Sequence, residues 1–204
     1  EQGIYSKNIT GKLFSQPTEL NITTLHQNKQ PAETKVTLKS RIDTETLDQY
    51  FNTTTLTKLL SGQTTYQAQL FLHQGNDPRH DQLLIQSNLK GLAVNLPNPF
   101  AKTTKQTASF STKIQLDKRR NPLVEISYNQ QLKTQWQFDE KNQFRHLLIS
   151  LGKSLFKQSL PKRRGSGIWI QGKLPILNIE QWKNLNGVID AMVLGMHLKK
   201  LHLQ

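Results

Sequence analysis

Apolar and polar residues alternate with a period of two through most of this chain, a spacing that suits an extended strand and leaves a helix no coherent apolar stripe. Val36, Leu38 and Ile42 fall on one side of such a segment, with Lys35, Thr37, Lys39 and Arg41 on the other. The pattern returns as Tyr66, Ala68, Leu70 and Leu72, then as Phe110, Thr112, Ile114 and Leu116. It continues through Val124, Ile126 and Tyr128, through Leu132, Thr134, Trp136 and Phe138, and through Leu147, Ile149 and Leu151. Turn-forming stretches such as Gly75-Asn76-Asp77-Pro78 and Arg120-Asn121-Pro122 separate the runs. About nine strand candidates of this kind, each apolar on one side only, predict an antiparallel meander. Strands buried on both faces of a parallel sheet would read as continuous apolar runs instead.

Helical signals are few. Leu47, Tyr50 and Phe51 recur at helical spacing after a capping Asp43 or Thr44, and Leu56, Leu59 and Leu60 precede Gly62, which reads as a C-cap. A further helix is predicted from Asn178, with Ile179, Trp182, Leu185 and Ile189 on one stripe. Two or three short helices cover only part of so wide an apolar face. A second sheet, a curl of the same sheet, or a ligand must take the rest.

Composition narrows the function. Only 35% of the 204 residues are hydrophobic, which points to a sheet with much wetted surface rather than a thick enclosed interior. Cysteine is absent, so disulfides and thiolate metal sites are excluded. No apolar run is long enough for a spanning helix. The start at Glu1-Gln2-Gly3 and the end in mid-pattern at Leu201-His202-Leu203-Gln204 suggest a piece of a longer protein, with any membrane anchor outside it. Nor is there a repeat or an interdomain linker, so residues 1–204 read as one structural segment.

The formal net charge is +13, densest at Lys118-Arg119-Arg120 and Lys162-Arg163-Arg164, both in turn-forming sequence. Solvated loop tips, lipid headgroups and nucleic acid are all compatible with such clusters. Aromatic residues do not interleave with them as base-stacking platforms require, and no nucleic-acid-binding motif is present.

Motifs for catalysis are missing as well. The histidines His26, His73, His80, His146, His197 and His202 lack metal-ligand spacing. Gly165-Ser166-Gly167 is neither a nucleophile elbow nor a phosphate loop, because a strand-like Ile168-Trp169-Ile170 follows it. The chain is therefore not expected to be an enzyme, to need a cofactor or to hold a metal.

One segment has a more individual signature. Ile85, Ser87 and Leu89 share a face, Gly91 permits a close backbone approach, and Pro97 and Pro99 end the strand in a corner. Ser87-Asn88-Leu89-Lys90-Gly91 followed by Leu96-Pro97-Asn98-Pro99-Phe100-Ala101-Lys102 resembles a recurrent element of the large YhdP proteins, AsmA-like proteins of the Gram-negative envelope. Leu60-Ser61-Gly62-Gln63-Thr64-Thr65-Tyr66 upstream, and Ile170-Gln171-Gly172-Lys173-Leu174 with Ile179-Glu180-Gln181-Trp182 downstream, resemble that family's pieces in the same order.

The resemblance implies a periplasmic segment of a protein anchored to the inner membrane, moving phospholipid between inner and outer membranes. The fold expected is mainly β: a strongly curved antiparallel sheet forming a groove, a β-taco-like slice, with two or three short helices. Acyl chains would lie on the apolar face, for which Ile114, Leu116, Val124, Ile126, Tyr128, Trp136 and Phe138 are the lining candidates. Arg119, Arg120, Arg163 and Arg164 are the headgroup candidates. The competing readings are a closed β-sandwich serving as an envelope scaffold or interaction module, and a basic nucleic-acid-binding domain.

Overall fold

In the computed structural model of the chain, the described residues are 4–27, 30–51, 55–73, 80–116, 122–139, 143–152, 166–174, 180–181 and 201–203. They build one large open sheet. Its strands are β1 (Tyr5–Leu13), β2 (Gln16–Gln27), β3 (Gln30–Asp43), β4 (Leu60–His73), β5 (Asp81–Ser87), β6 (Leu92–Val94), β7 (Phe110–Leu116), β8 (Leu123–Tyr128), β9 (Leu132–Phe138), β10 (Phe144–Leu151), β11 (Gly167–Gly172) and β12 (Leu201–Leu203). Apart from β6, which pairs with the start of β4, neighbours in sequence are neighbours in the sheet from β1 to β12. β1 and β12 are not joined, so the sheet does not close into a barrel.

Pairing is antiparallel from β1 to β10, as the meander predicts. The far end departs from that expectation: β10–β11 and β11–β12 are parallel. A parallel pair cannot be joined by a tight hairpin, and the residues between β10 and β11 lie largely outside the described ones.

Helices α1 (Thr44–Phe51) and α2 (Thr55–Leu59) sit between β3 and β4. The predicted cap is present: the Thr46 backbone N–H donates to Asp43 Oδ1 at 2.7 Å. The predicted C-cap at Gly62 is not, because β4 already begins at Leu60. Gly62 instead has φ +99° inside β4, where a Cβ would lie 2.4 Å from the Gly91 carbonyl oxygen. Gly91, at φ +89°, is held as tightly, its Cβ position 2.5 Å from the Gln63 oxygen. Gly62 is required by the Gly91 carbonyl, and Gly91 by the carbonyl of Gln63, the residue after Gly62. The helix predicted from Asn178 lies outside the described residues except at Glu180 and Gln181, which are helical.

The segment between β5 and β7 forms the compact core. Leu89, Leu92, Val94, Phe100 and Ala108 are buried together with Tyr128 from β8, and Phe110, Leu132 and Leu151 pack against them. Phe100 is 1% exposed, and its carbonyl accepts the Tyr128 hydroxyl at 2.9 Å. Lys102 is also buried; its Nζ donates to the carbonyls of Leu92 and Thr103, and burial lowers its pKa. The ammonium thereby ties both flanks of the corner together.

Tyr128→Phe removes the buried hydroxyl that donates to the Phe100 carbonyl, and is expected to cost about 1 to 2 kcal/mol in chemical denaturation. An unchanged midpoint would show that the corner does not depend on this bond. Hydrogen bonds from Thr46 hold the Asp43 carboxyl below its ordinary range. Its contribution to stability is present above the unfolded-state pKa and is lost as pH falls through the depressed folded value. Asp43→Asn, which keeps a capping oxygen, should flatten the acid limb of the stability profile while changing little at neutral pH; an acid limb of unaltered slope refutes this assignment.

Candidate functional site

Register turns the one-sided strands into continuous rows. In a paired sheet, residues opposite each other project to the same face, so a row can be followed from strand to strand. One row reads Ile22, Val36, Leu70, Leu83, Ile114, Val124, Trp136, Leu147, Ile168, from β2 to β11, and every member is apolar. At the usual spacing between strands it runs for about 38 Å across the sheet. The next row on that face, from Leu20 and Leu38 through Ala68, Ile85 and Ile126 to Ile149 and Ile170, is broken only by Thr112 and Thr134. Thr134 is occupied, since its Oγ1 accepts from Trp136 Nε1 at 2.8 Å.

These side chains are incompletely covered. From Ile22 to Trp136 the long row is half-buried, and only Leu147 and Ile168 at its β10–β11 end are buried. The third row, Phe110–Tyr128–Leu132–Leu151, is the part that the corner covers. So the molecule seals its apolar face at one end of β7–β10 and leaves a wide apolar strip beside that seal.

The lining candidates separate accordingly. Ile114, Val124 and Trp136 belong to the long row, and Ile126 to the row beside it. Phe138 is half-buried and pairs with Phe144 beyond an irregularity in the β9–β10 register. Leu116, at the end of β7, is 43% exposed. Tyr128 is part of the packed corner, with its ring buried and its hydroxyl bonded. Arg119, Arg120, Arg163 and Arg164 lie outside the described residues. Sequence reasoning missed the β2–β5 part of the row, above all Ile22, Val36, Leu70 and Leu83. The alternation around Val36 and Leu70 is visible in the sequence, but only the pairing register aligns these residues with Ile114.

The opposite face is mostly polar, with Phe71, Leu84, Leu123, Leu148 and Trp169 as its large apolar residues. There Glu125 accepts from the Gln135 amide and has Lys133 Nζ at 3.6 Å. Toward the other end of β3 and β4, His73 Nε2 stands 3.1 Å from Glu33 Oε2, with Asp81 Oδ1 3.6 Å from its Nδ1. On β10, burial and the neighbouring Arg145 lower the pKa of His146, whose ring lies 5.2 Å from that of Trp169.

This polar face also bears a hollow of about 1350 Å³. Its walls include every member of the register row Thr10, Glu19, Lys39, Gln67, Gln86, Ser111, Ser127, and none of the aliphatic row through Leu38 and Ile85. A twisted sheet is saddle-shaped, so a concavity on the polar side is compatible with a strip of apolar side chains behind it.

A family model described as YhdP protein matches residues 1–201. The chain belongs to the YhdP family. The corner that carries the resemblance is the packed element at one end of the apolar face, and Gly62 and Gly91 from two of the resembling pieces meet there. No curated protein and no solved structure matches the chain. As a YhdP-family chain it falls among AsmA-like envelope proteins; among its described residues, no helix is long and apolar enough to cross a membrane.

The half-covered row predicts that the folded chain binds a polarity-sensitive naphthalene dye without denaturant, and that Leu70→Asp lowers the bound fluorescence severalfold while far-UV circular dichroism is retained. Equal dye signal from a well-folded Leu70→Asp chain would mean that the dye reports another surface.

Proposed function

We propose that this chain is a lipid-binding segment of an AsmA-like bridge protein that moves phospholipid between the inner and outer membranes, with acyl chains lying along the apolar row. The observation that carries the reading is that row: apolar side chains in unbroken register over nine strands, mostly half-exposed on an open sheet. Membership of the YhdP family supports the setting, a periplasmic part of a protein anchored in the inner membrane.

The physics suits transfer rather than capture. Each buried CH₂ contributes about 0.8 kcal/mol, so a tail laid across the row is held by many small and nearly equivalent contacts. Advancing by one strand exchanges one aliphatic neighbour for another, and the barrier to sliding stays low. The row offers a tail no hydrogen-bonding group of its own apart from the Trp136 indole, which Thr134 already engages. It needs no bond-making chemistry, so the segment acts as a conduit and not as an enzyme, and phospholipid is its partner.

A photoreactive residue introduced at Ile126, beside the row, is expected to crosslink phospholipid in intact cells, and Val124→Asp should reduce that crosslinking at least severalfold without loss of fold. Native mass spectrometry of the purified chain should carry phospholipid adducts. Absence of both crosslinks and adducts would favour a scaffold or interaction module, in which the apolar strip is covered by protein. Binding to nucleic acid that falls steeply with salt and survives Val124→Asp would support the basic-domain reading in its place.

A further inference from the structure

We propose that the hollow on the polar face is a second binding site, and that its ligand is an extended polysaccharide. The hollow crosses seven strands, from Thr10 on β1 to Ser127 on β8, a span of about 29 Å at ordinary strand spacing. Its floor is the backbone of those strands, and its surface is set with hydroxyls and carboxamides.

The chemistry of the lining selects among ligand classes. Among the charged side chains only Glu19, Lys39 and Arg41 face it, too few and too mixed in sign for a nucleic acid backbone. The aliphatic rows are on the other side, and the apolar side chains in the lining, Pro17, Tyr66 and Phe110, are scattered among polar ones, so an acyl chain finds no continuous apolar track there. What remains is a regular series of neutral donors and acceptors, in which Gln67 and Gln86 stand directly opposite each other on β4 and β5, with Ser111 and Ser127 on the next two strands. Among the described residues, no side-chain hydrogen bond uses either carboxamide. On the same face, Gln135 is by contrast tied to Glu125.

A carboxamide offers both donors and an acceptor, as a row of sugar hydroxyls and acetamido groups demands. Strands follow one another at about 4.8 Å, close to the advance per residue of an extended β-linked glycan. Successive sugars would therefore meet equivalent positions on successive strands. Lys39 and Arg41, both exposed at this end of β3, would accept an acidic substituent on the chain. Sugar on one face and lipid on the other would let the same sheet run along a glycan while leaving its apolar row free.

The test is a titration of the full chain with a soluble chitin hexamer, followed by backbone amide shifts. Shifts are expected along Thr10, Lys39, Gln67, Gln86, Ser111 and Ser127 and not at Leu70 or Ile114. Gln67→Leu and Gln86→Leu should each weaken binding about five-fold, as loss of one neutral hydrogen bond does. Neither should alter phospholipid crosslinking. If Gln67→Leu does not fold, Gln86→Glu at an exposed position makes the same comparison. The proposal is overturned by absence of shifts at millimolar sugar, by shifts centred on the apolar row, by an equal response to a helical amylose hexamer, or by binding that high salt abolishes. Sugar binding that persists where lipid crosslinking fails would remove the conduit reading alone and leave this site standing.

Discussion

Cross-strand register is the constraint on which the rest of the molecule depends. Alternation within a strand only separates two kinds of side chain; hydrogen-bonded pairing lines those kinds up across many strands and makes them into surfaces. Val36 opposite Leu70 and Ile114 opposite Val124 are modest contacts one by one. Linked through nine strands they become a lane, and a slip of one residue at Ile114 or Trp136 would put a lysine or a glutamine into it.

A sheet this wide with one apolar face must cover, curl or share that face. The chain does some of the first. The corner between β5 and β7 folds back over Phe110, Tyr128, Leu132 and Leu151, pinned by the Tyr128 hydroxyl and the buried Lys102 ammonium, and by two glycines that let β4 and the corner approach. Among the described residues, covering stops there. Two short helices beside β3 and β4 are too small to shield the rows from Ile22 to Trp136, which stay half-exposed. Among the described residues, the partial cover and the open strip follow from one cause, a sheet larger than the elements that pack on it.

The meander from β3 to β10 was legible because its aliphatic residues alternate cleanly, and so was the Asp43 cap. β1 and β2 were not. In β1, Tyr5–Leu13, Ile9 and Leu13 are separated by Thr10, Gly11 and Lys12, as suits a largely exposed edge strand, and a period of two is hard to see where few residues are apolar. Gly62 was misread for a related reason: leucines followed by glycine is the local signature of a helix end, and the contact that fixes this glycine in β4 comes from Gly91, far along the chain. The parallel pairing of β10 and β11 likewise leaves no trace in Ile168–Ile170 themselves, because alternation reads the same in either strand direction.

By itself the sequence determined which side chains share a face within each strand, that helices are scarce, and that a Pro-rich corner interrupts the meander, because all of these are properties of neighbouring residues. Tertiary structure decided that Ile22 and Ile168 lie in one row, that Tyr128 is sealed under the corner while Ile126 is not, that the sheet stays open, and that hydroxyls and amides of seven strands gather in one hollow. Those outcomes are set by pairing and coverage between segments distant in the chain, and no local pattern encodes which distant segment will arrive.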